Sequence, residues 1–367
     1  MKHMNVLAET IGPKGYGVYR AQWYQGQLLL EPSEGQPEVW ITPGFVDIHL
    51  HGAFGIDFMD ATPEQLHTLS KGLEEHGYEA FMATTVTAPP QAVLRALYNL
   101  AEYQEQAKNS PSGAEILGVH VEGPFISPLY PGAQPPEFII EPPTKNSIWD
   151  RILEHPLVKI ITLAPEVPHA LPLISRLRKQ GVIVSMGHSN ATYSEAHRAF
   201  EVGVRHTTHT FNAMRPFHHR EAGLTGYALL KPEVITELIY DRIHVGYEAA
   251  KLLIQSKPQS ALIAVSDSTL ATGLQPGLDV TMWGHECYTK EDRVCLKHNN
   301  ALAGSTLTLM NAYKNLASDF GSEIAMRMCS WNPRQALGFR KAPRLWLVFD
   351  KRLECIERIR TPSLTSF

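Results

Sequence analysis

The chain has 367 residues, 44% of them apolar and 19% charged, enough for one large barrel with an appendage or for two ordinary domains. A net charge of −4 gives no basis for attracting nucleic acid or an anionic membrane, and no apolar run is long enough to span a bilayer. The four cysteines form no CxxC pair and the start, Met1-Lys2-His3-Met4-Asn5, lacks the apolar core of a signal peptide, so a reducing cytoplasm is expected.

Residues 1–42 carry two short strand candidates, Gly15-Tyr16-Gly17-Val18-Tyr19 and Gln27-Leu28-Leu29-Leu30. Near the other end stand Leu345-Trp346-Leu347-Val348-Phe349 and Leu353-Glu354-Cys355-Ile356-Glu357. Both ends are expected to pair into one small β-sandwich-like domain, 1–42 with 341–367, attached to a catalytic domain over 43–340. From residue 44 onward, apolar and largely β-branched runs recur at about 44–50, 80–86, 115–121, 158–164, 182–186, 205–210, 235–240 and 261–266. Segments of helical period lie between them, among them 62–76, 91–108, 169–180, 192–202 and 247–256. Thr62-Pro63-Glu64-Gln65 reads as an N-cap followed by proline at the first helical position. Eight such units predict an α/β fold, a (β/α)₈ barrel. A doubly wound sheet is the alternative, but no G-x-G-x-x-G is present to serve it.

Barrel active sites stand at the C-terminal ends of the strands. The first run, Pro43-Gly44-Phe45-Val46-Asp47-Ile48-His49-Leu50-His51, ends in two histidines two residues apart, which a strand presents on one face. Taken alone, that spacing is more often two polar residues on a strand than a metal pair. Other strands end in Glu122, His188, His209 and Asp267, with His120, His206 and His244 nearby. Four imidazoles and two carboxylates suit one or two divalent ions: zinc first, with iron, manganese or cobalt compatible. Asp267 also fits an ordinary helix N-cap. His120 reads as a hydrogen-bonded core residue, and His218 and His219 as loop residues. Pro128 to Pro143, rich in proline and glycine, follows the strand ending in Glu122 and reads as an active-site loop.

His120-Val121-Glu122-Gly123-Pro124, Leu163-Ala164-Pro165-Glu166, Gly187-His188-Ser189-Asn190-Ala191, Thr208-His209-Thr210-Phe211-Asn212-Ala213-Met214 and Leu302-Ala303-Gly304-Ser305 together resemble the amidohydrolase superfamily, and within it the N-acetylglucosamine-6-phosphate deacetylases. The resemblance covers about residues 41–340. It implies that Glu122, His188 and His209 hold one metal, and that His49 and His51 hold a second, with Glu122 bridging and Asp267 facing the water. It makes Asp267 the acid–base group and His244 the residue on the acetyl carbonyl. It implies substrate contacts from Gln134, Asn212, Ala213, Arg220, Asp241, Arg242, His244, Leu302, Ala303 and Gly304, with Arg220 on the phosphate. Two positions depart from the family pattern. Gln134 stands where relatives carry a substrate-contacting histidine, and Arg242 where they usually carry glycine. The expected partner is an amino-sugar phosphate, and a homodimer is implied by the resemblance alone. Three readings stay open at this point. One is removal of acetyl from N-acetylglucosamine 6-phosphate. Another is a related substrate, such as N-acetylgalactosamine 6-phosphate or a cyclic amide. The third is a catalytically weakened barrel with a binding role.

Overall fold

A computed structural model describes residues 5–24, 26–109, 112–144 and 146–361. Eight parallel strands stand side by side in chain order: Phe45–Leu50, Tyr78–Thr85, Glu115–Glu122, Val158–Leu163, Ile183–Met186, His206–Thr207, Ile235–Leu238 and Leu262–Ala264. The sheet's two edges meet at the C-terminal rim. There Asp267 N–H donates to the His49 carbonyl at 2.8 Å, and His51 N–H to the Ser268 carbonyl at 2.7 Å. That contact makes the sheet a barrel and removes the doubly wound alternative. The first two strands are buried along their whole length, as expected when helices cover a parallel sheet.

The helices start where the sequence signals them. Thr62 caps Pro63–Glu75: its hydroxyl accepts Gln65 N–H at 3.3 Å while the Gln65 side chain accepts Thr62 N–H at 2.9 Å. Thr192 and Glu195 repeat the device at Tyr193–Glu201. These helices, with Pro90–Asn109, Ala170–Lys179, Tyr247–Ser256 and Leu309–Phe320, pack an apolar stripe on the barrel.

The two ends of the chain build a single six-stranded sheet in the order Cys355–Arg360, Leu345–Phe349, Val39–Pro43, Asn5–Gly12, Gly15–Tyr24, Gln27–Pro32. Asn5–Gly12 and Val39–Pro43 are strands that the sequence reading had not picked out. One face gathers Ala8, Ala21, Trp23, Ile41, Trp346 and Val348. From the other, Phe349 stacks on Tyr313, with ring centroids 4.4 Å apart, and joins the barrel core. We place the division between this unit and the barrel at 42/43 and 340/341; residues 1–4 and 362–367 of the terminal unit lie outside the described residues.

A further sheet was not anticipated: Asp279–Met282, His285–Lys290 and Arg293–Leu296 form an antiparallel meander after the eighth strand. Its strands are short and half polar, and its small core of Met282, Cys287, Val294 and Leu296 closes against Ala271 and Ala303, with Ala133 and Leu270 packed on it. Among the described residues, no helix is long and apolar enough to cross a membrane.

Candidate active site

The six strand-end donors converge at the C-terminal rim, with Glu122 at the centre. Its Oε1 lies 3.2 Å from His188 Nε2, 3.1 Å from His209 Nε2 and 3.3 Å from His49 Nε2. Its Oε2 lies 3.3 Å from His51 Nε2. Asp267 Oδ1 stands 3.2 Å from His51 Nε2 and 3.5 Å from His49 Nε2. All six residues are buried. Three of them leave their strands in the left-handed backbone region: His188 at φ 47°, His209 at 29° and Asp267 at 52°. Non-glycine residues rarely tolerate that region, and its recurrence here is the local strain that functional sites retain. Gly123, at φ 76°, follows Glu122 because a Cβ there would lie 2.1 Å from the Thr87 hydroxyl.

The donors fit a divalent ion by their hydrogen bonding. His49 Nδ1 lies 3.2 Å from buried Glu237 Oε2, and His188 Nδ1 lies 3.0 Å from the Tyr130 carbonyl. Each acceptor fixes the proton on Nδ1 and turns a bare Nε2 inward, the form in which imidazole binds metal. His49 Nε2 is buried without a hydrogen bond, and the His188 and His209 Nε2 atoms face each other at 3.1 Å. Burial opposes the charge on Glu122; where His49 and His188 carry a second proton in place of an ion, their charge and the hydrogen bonds from His188 and His209 hold its carboxyl well below the usual range. Two donor groups, His49–Glu122–His209 and His49–His51–Asp267, are each compact enough for one ion.

Residues behind the donors were less legible. Glu237, fully buried in the seventh strand, holds His49 and accepts His209 N–H at 3.2 Å. Its signal was a carboxylate inside an apolar run. Asp47 accepts the His49 N–H at 3.1 Å and approaches Ser266 N–H at 3.3 Å, tying the first strand to the eighth. Glu166, in the quoted Leu163–Glu166 motif, accepts the Ser189 hydroxyl at 2.7 Å and Asn190 N–H at 2.6 Å, and so fixes the turn that aims His188. His120 is satisfied within the barrel by the Ile48 carbonyl at 3.0 Å and Thr162 at 2.7 Å.

A cavity of about 150 Å³ opens onto the donors, lined among others by Gln134, Asn212, Ala213, His244, Leu302 and Gly304. Four of the expected substrate residues do not line it. Arg242 turns away from it: its guanidinium grips Asp319 through Nε at 2.8 Å and Nη2 at 2.7 Å, and Asp319 also accepts the Tyr240 hydroxyl at 2.6 Å. Its left-handed backbone, φ 65°, sends the side chain outward. Asp241 stands behind His244, accepting from Nδ1 at 2.6 Å and leaving Nε2 for the cavity. Ala303 is fully buried in the core of the meander. Arg220 is exposed on the turn at 218–221 and lies outside the cavity of its own chain. Asn212 lines the cavity, but its backbone N–H donates to the His209 carbonyl at 2.9 Å and its side-chain Nδ2 to the same oxygen at 3.3 Å.

Gln134 does more than line the cavity. Its Oε1 accepts Thr87 N–H at 2.7 Å, which orients Nε2 to donate to Glu122 Oε2 at 2.5 Å. Gln134→Ala is expected to weaken metal affinity by roughly 10- to 100-fold, the range for partners of metal-holding groups. Chelator competition reads it, and unchanged affinity would mean the amide serves substrate alone.

Residues 40–342 match the family described as "Amidohydrolase family". The chain belongs to the amidohydrolase family. Among curated relatives, N-acetylglucosamine-6-phosphate deacetylase of Bacillus subtilis is 38% identical over 314 residues, 85% of this chain and 76% of that protein. N-acetylgalactosamine-6-phosphate deacetylase of Escherichia coli O157:H7 is 33% identical over 303 residues, 81% of this amidohydrolase and 78% of that protein. The crystal structure of N-acetylglucosamine-6-phosphate deacetylase from Thermotoga maritima superposes with a TM-score of 0.84 at 30% identity, covering 97% of each chain. A mutant of the Mycobacterium smegmatis enzyme, solved in complex with N-acetyl-D-glucosamine-6-phosphate, superposes with a TM-score of 0.86 at 26% identity, covering 98% of each chain.

Proposed function

We propose that this amidohydrolase removes the acetyl group from N-acetyl-D-glucosamine 6-phosphate, giving D-glucosamine 6-phosphate and acetate. The observation that carries the reading is the placement of Glu122 between two pairs of histidines with Asp267 beside it, at the floor of a cavity. An amide is a poor electrophile and water a poor nucleophile at neutral pH. A divalent ion held by His49, His51, Glu122, His188, His209 and Asp267 supplies Lewis acidity, bringing the pKa of water toward about 7 and polarising the carbonyl. Zinc is the first ion to test.

Asp267, as carboxylate, takes one proton from the attacking water. The water oxygen bonds to the carbonyl carbon, the C–N bond breaks, and Asp267 returns the proton to the leaving amine. Acetate keeps the new oxygen. His244, braced by Asp241, is placed to steady the carbonyl oxygen as charge builds on it. Water exclusion falls to the Gly132–Gln134 loop over the donors.

Arg220 does not line its own chain's cavity, and we infer that its exposed turn reaches the phosphate across a homodimer. In that assembly Arg220→Ala is expected to raise KM for the phosphorylated sugar by roughly 10- to 200-fold and to leave the unphosphorylated sugar little changed, since a charged hydrogen bond contributes about 1.5–3 kcal/mol. Sedimentation beside the KM series checks both parts; a dimer with unchanged KM would remove Arg220 from the site. The Escherichia coli relative favours one second reading, N-acetylgalactosamine 6-phosphate, which differs only at the 4-hydroxyl. Acetate release from both sugars, with and without phosphate, separates the two readings. No acetate from any of them, with metal bound, would leave the binding role.

A further inference from the structure

We propose that Trp283 limits the acyl group this enzyme accepts to acetyl. The inference rests on the deacetylase reading and adds a specificity-determining residue to it.

Trp283 sits at the corner of the first hairpin of the added meander. Met282 pairs with His285, so Trp283 and Gly284 form a two-residue turn with φ 55° and 84°. Such a turn favours Asn, Asp or Gly at its first position. A tryptophan held there is an outlier of the kind that function retains. The meander's own core does not explain it, since the indole is only partly buried against it and lines the cavity instead.

Two contacts fix the ring, and Gly304 lies beside it. Nε1 donates to Asp57 Oδ2 at 2.9 Å, while Asp57 Oδ1 is itself held by Met59 N–H at 2.8 Å. The indole meets the His51 imidazole edge-on, with centroids 5.1 Å apart. Its Cη2 lies 3.7 Å from where a Cβ on Gly304 would stand. Gly304 in turn abuts Asp267: that same Cβ would be 3.0 Å from the Asp267 carbonyl oxygen. Trp283, His51, Asp267 and Gly304 thus form one side of the cavity. Gly132, His188 and Ala213 also line the cavity and lie together, since a Cβ on Gly132 would touch His188 at 3.1 Å and Ala213 at 3.8 Å.

The reacting carbon must lie within reach of a water that Asp267 can deprotonate. The acyl chain branches from that carbon, so the wall beside Asp267 is the wall that the chain meets. An indole anchored at its nitrogen and backed by the meander is a rigid stop. A methyl group fits in front of such a stop; each further methylene must displace the ring or pull the carbonyl away from Asp267. Displacing it would break the bond to Asp57.

The test compares kcat/KM for N-acetyl-, N-propionyl- and N-butyryl-glucosamine 6-phosphate in the wild type, Trp283→Ala and Trp283→Phe, with metal content measured in each. One methylene in a fitted apolar pocket discriminates by roughly 10- to 200-fold. The wild type is expected to show that drop from acetyl to propionyl. Trp283→Ala is expected to raise the propionyl-to-acetyl ratio by about 10-fold or more, and Trp283→Phe, which keeps most of the bulk without the hydrogen bond, to stay within a few-fold of the wild-type ratio. An unchanged ratio in Trp283→Ala, with acetate still released and metal retained, overturns the proposal. A Phe variant that behaves like the Ala variant overturns it too, because the ring would then matter only as an anchor. If the wild type releases no acetate at all, the deacetylase reading has failed, and this inference fails with it.

Discussion

Glu122→Ala is expected to empty both metal positions and abolish turnover. Glu122 is the carboxylate that reaches both pairs of histidines: Oε1 faces His188, His209 and His49, and Oε2 faces His51 and Gln134. Alanine leaves four buried imidazoles around a void without the anion that stands between the two pairs. Removing one member of a buried ionic group typically costs about 3–5 kcal/mol, before any loss of ligation is counted. Elemental analysis of the purified variant reads the effect directly. A stoichiometry equal to that of the wild type would show that the two positions do not share Glu122. The companion variant, His49→Ala with His51→Ala, should lose one ion and keep the one on Glu122, His188 and His209.

Asp267→Asn should separate binding from chemistry. Asn keeps the shape and one oxygen, so metal stays largely bound, but it cannot accept a proton and return it. Turnover is expected to fall by about 10²–10⁴-fold, the usual worth of a positioned acid–base group. Burial disfavours the Asp267 carboxylate, but hydrogen bonding from His51 and the charges of His49 and His51 hold its pKa below the normal range, so the base form is in place at neutral pH. Near-normal turnover in Asp267→Asn would assign the proton transfer to another group. A loss of metal equal to the loss of turnover would make Asp267 a ligand only.

The barrel was legible because its signals are local. The strands are short runs buried along most of their length, and helices such as Pro63–Glu75 carry an apolar stripe and a cap, Thr62 with Gln65. The meander at 279–296 was not legible. Its residues alternate weakly, and its core closes against Leu270, Ala271, Ala303 and, from the loop after the third strand, Ala133. Trp283 was invisible for the same reason: nothing near it in the chain suggests that its ring reaches His51.

The donor types at the strand ends are legible in the chain: His49, His51, Glu122, His188, His209 and Asp267 stand where a barrel places its chemistry. How they combine, and which of their neighbours face the cavity, depends on packing. The direction of a side chain at a strand end depends on the turn that follows. His188, His209 and Asp267 adopt left-handed backbone angles that swing them inward, whereas the same region at Arg242 swings the guanidinium out to Asp319. No residue type or spacing encodes that choice, because it is settled by what packs against the turn from elsewhere in the chain: Glu166 behind His188, Glu237 behind His209, and Asp319 in front of Arg242.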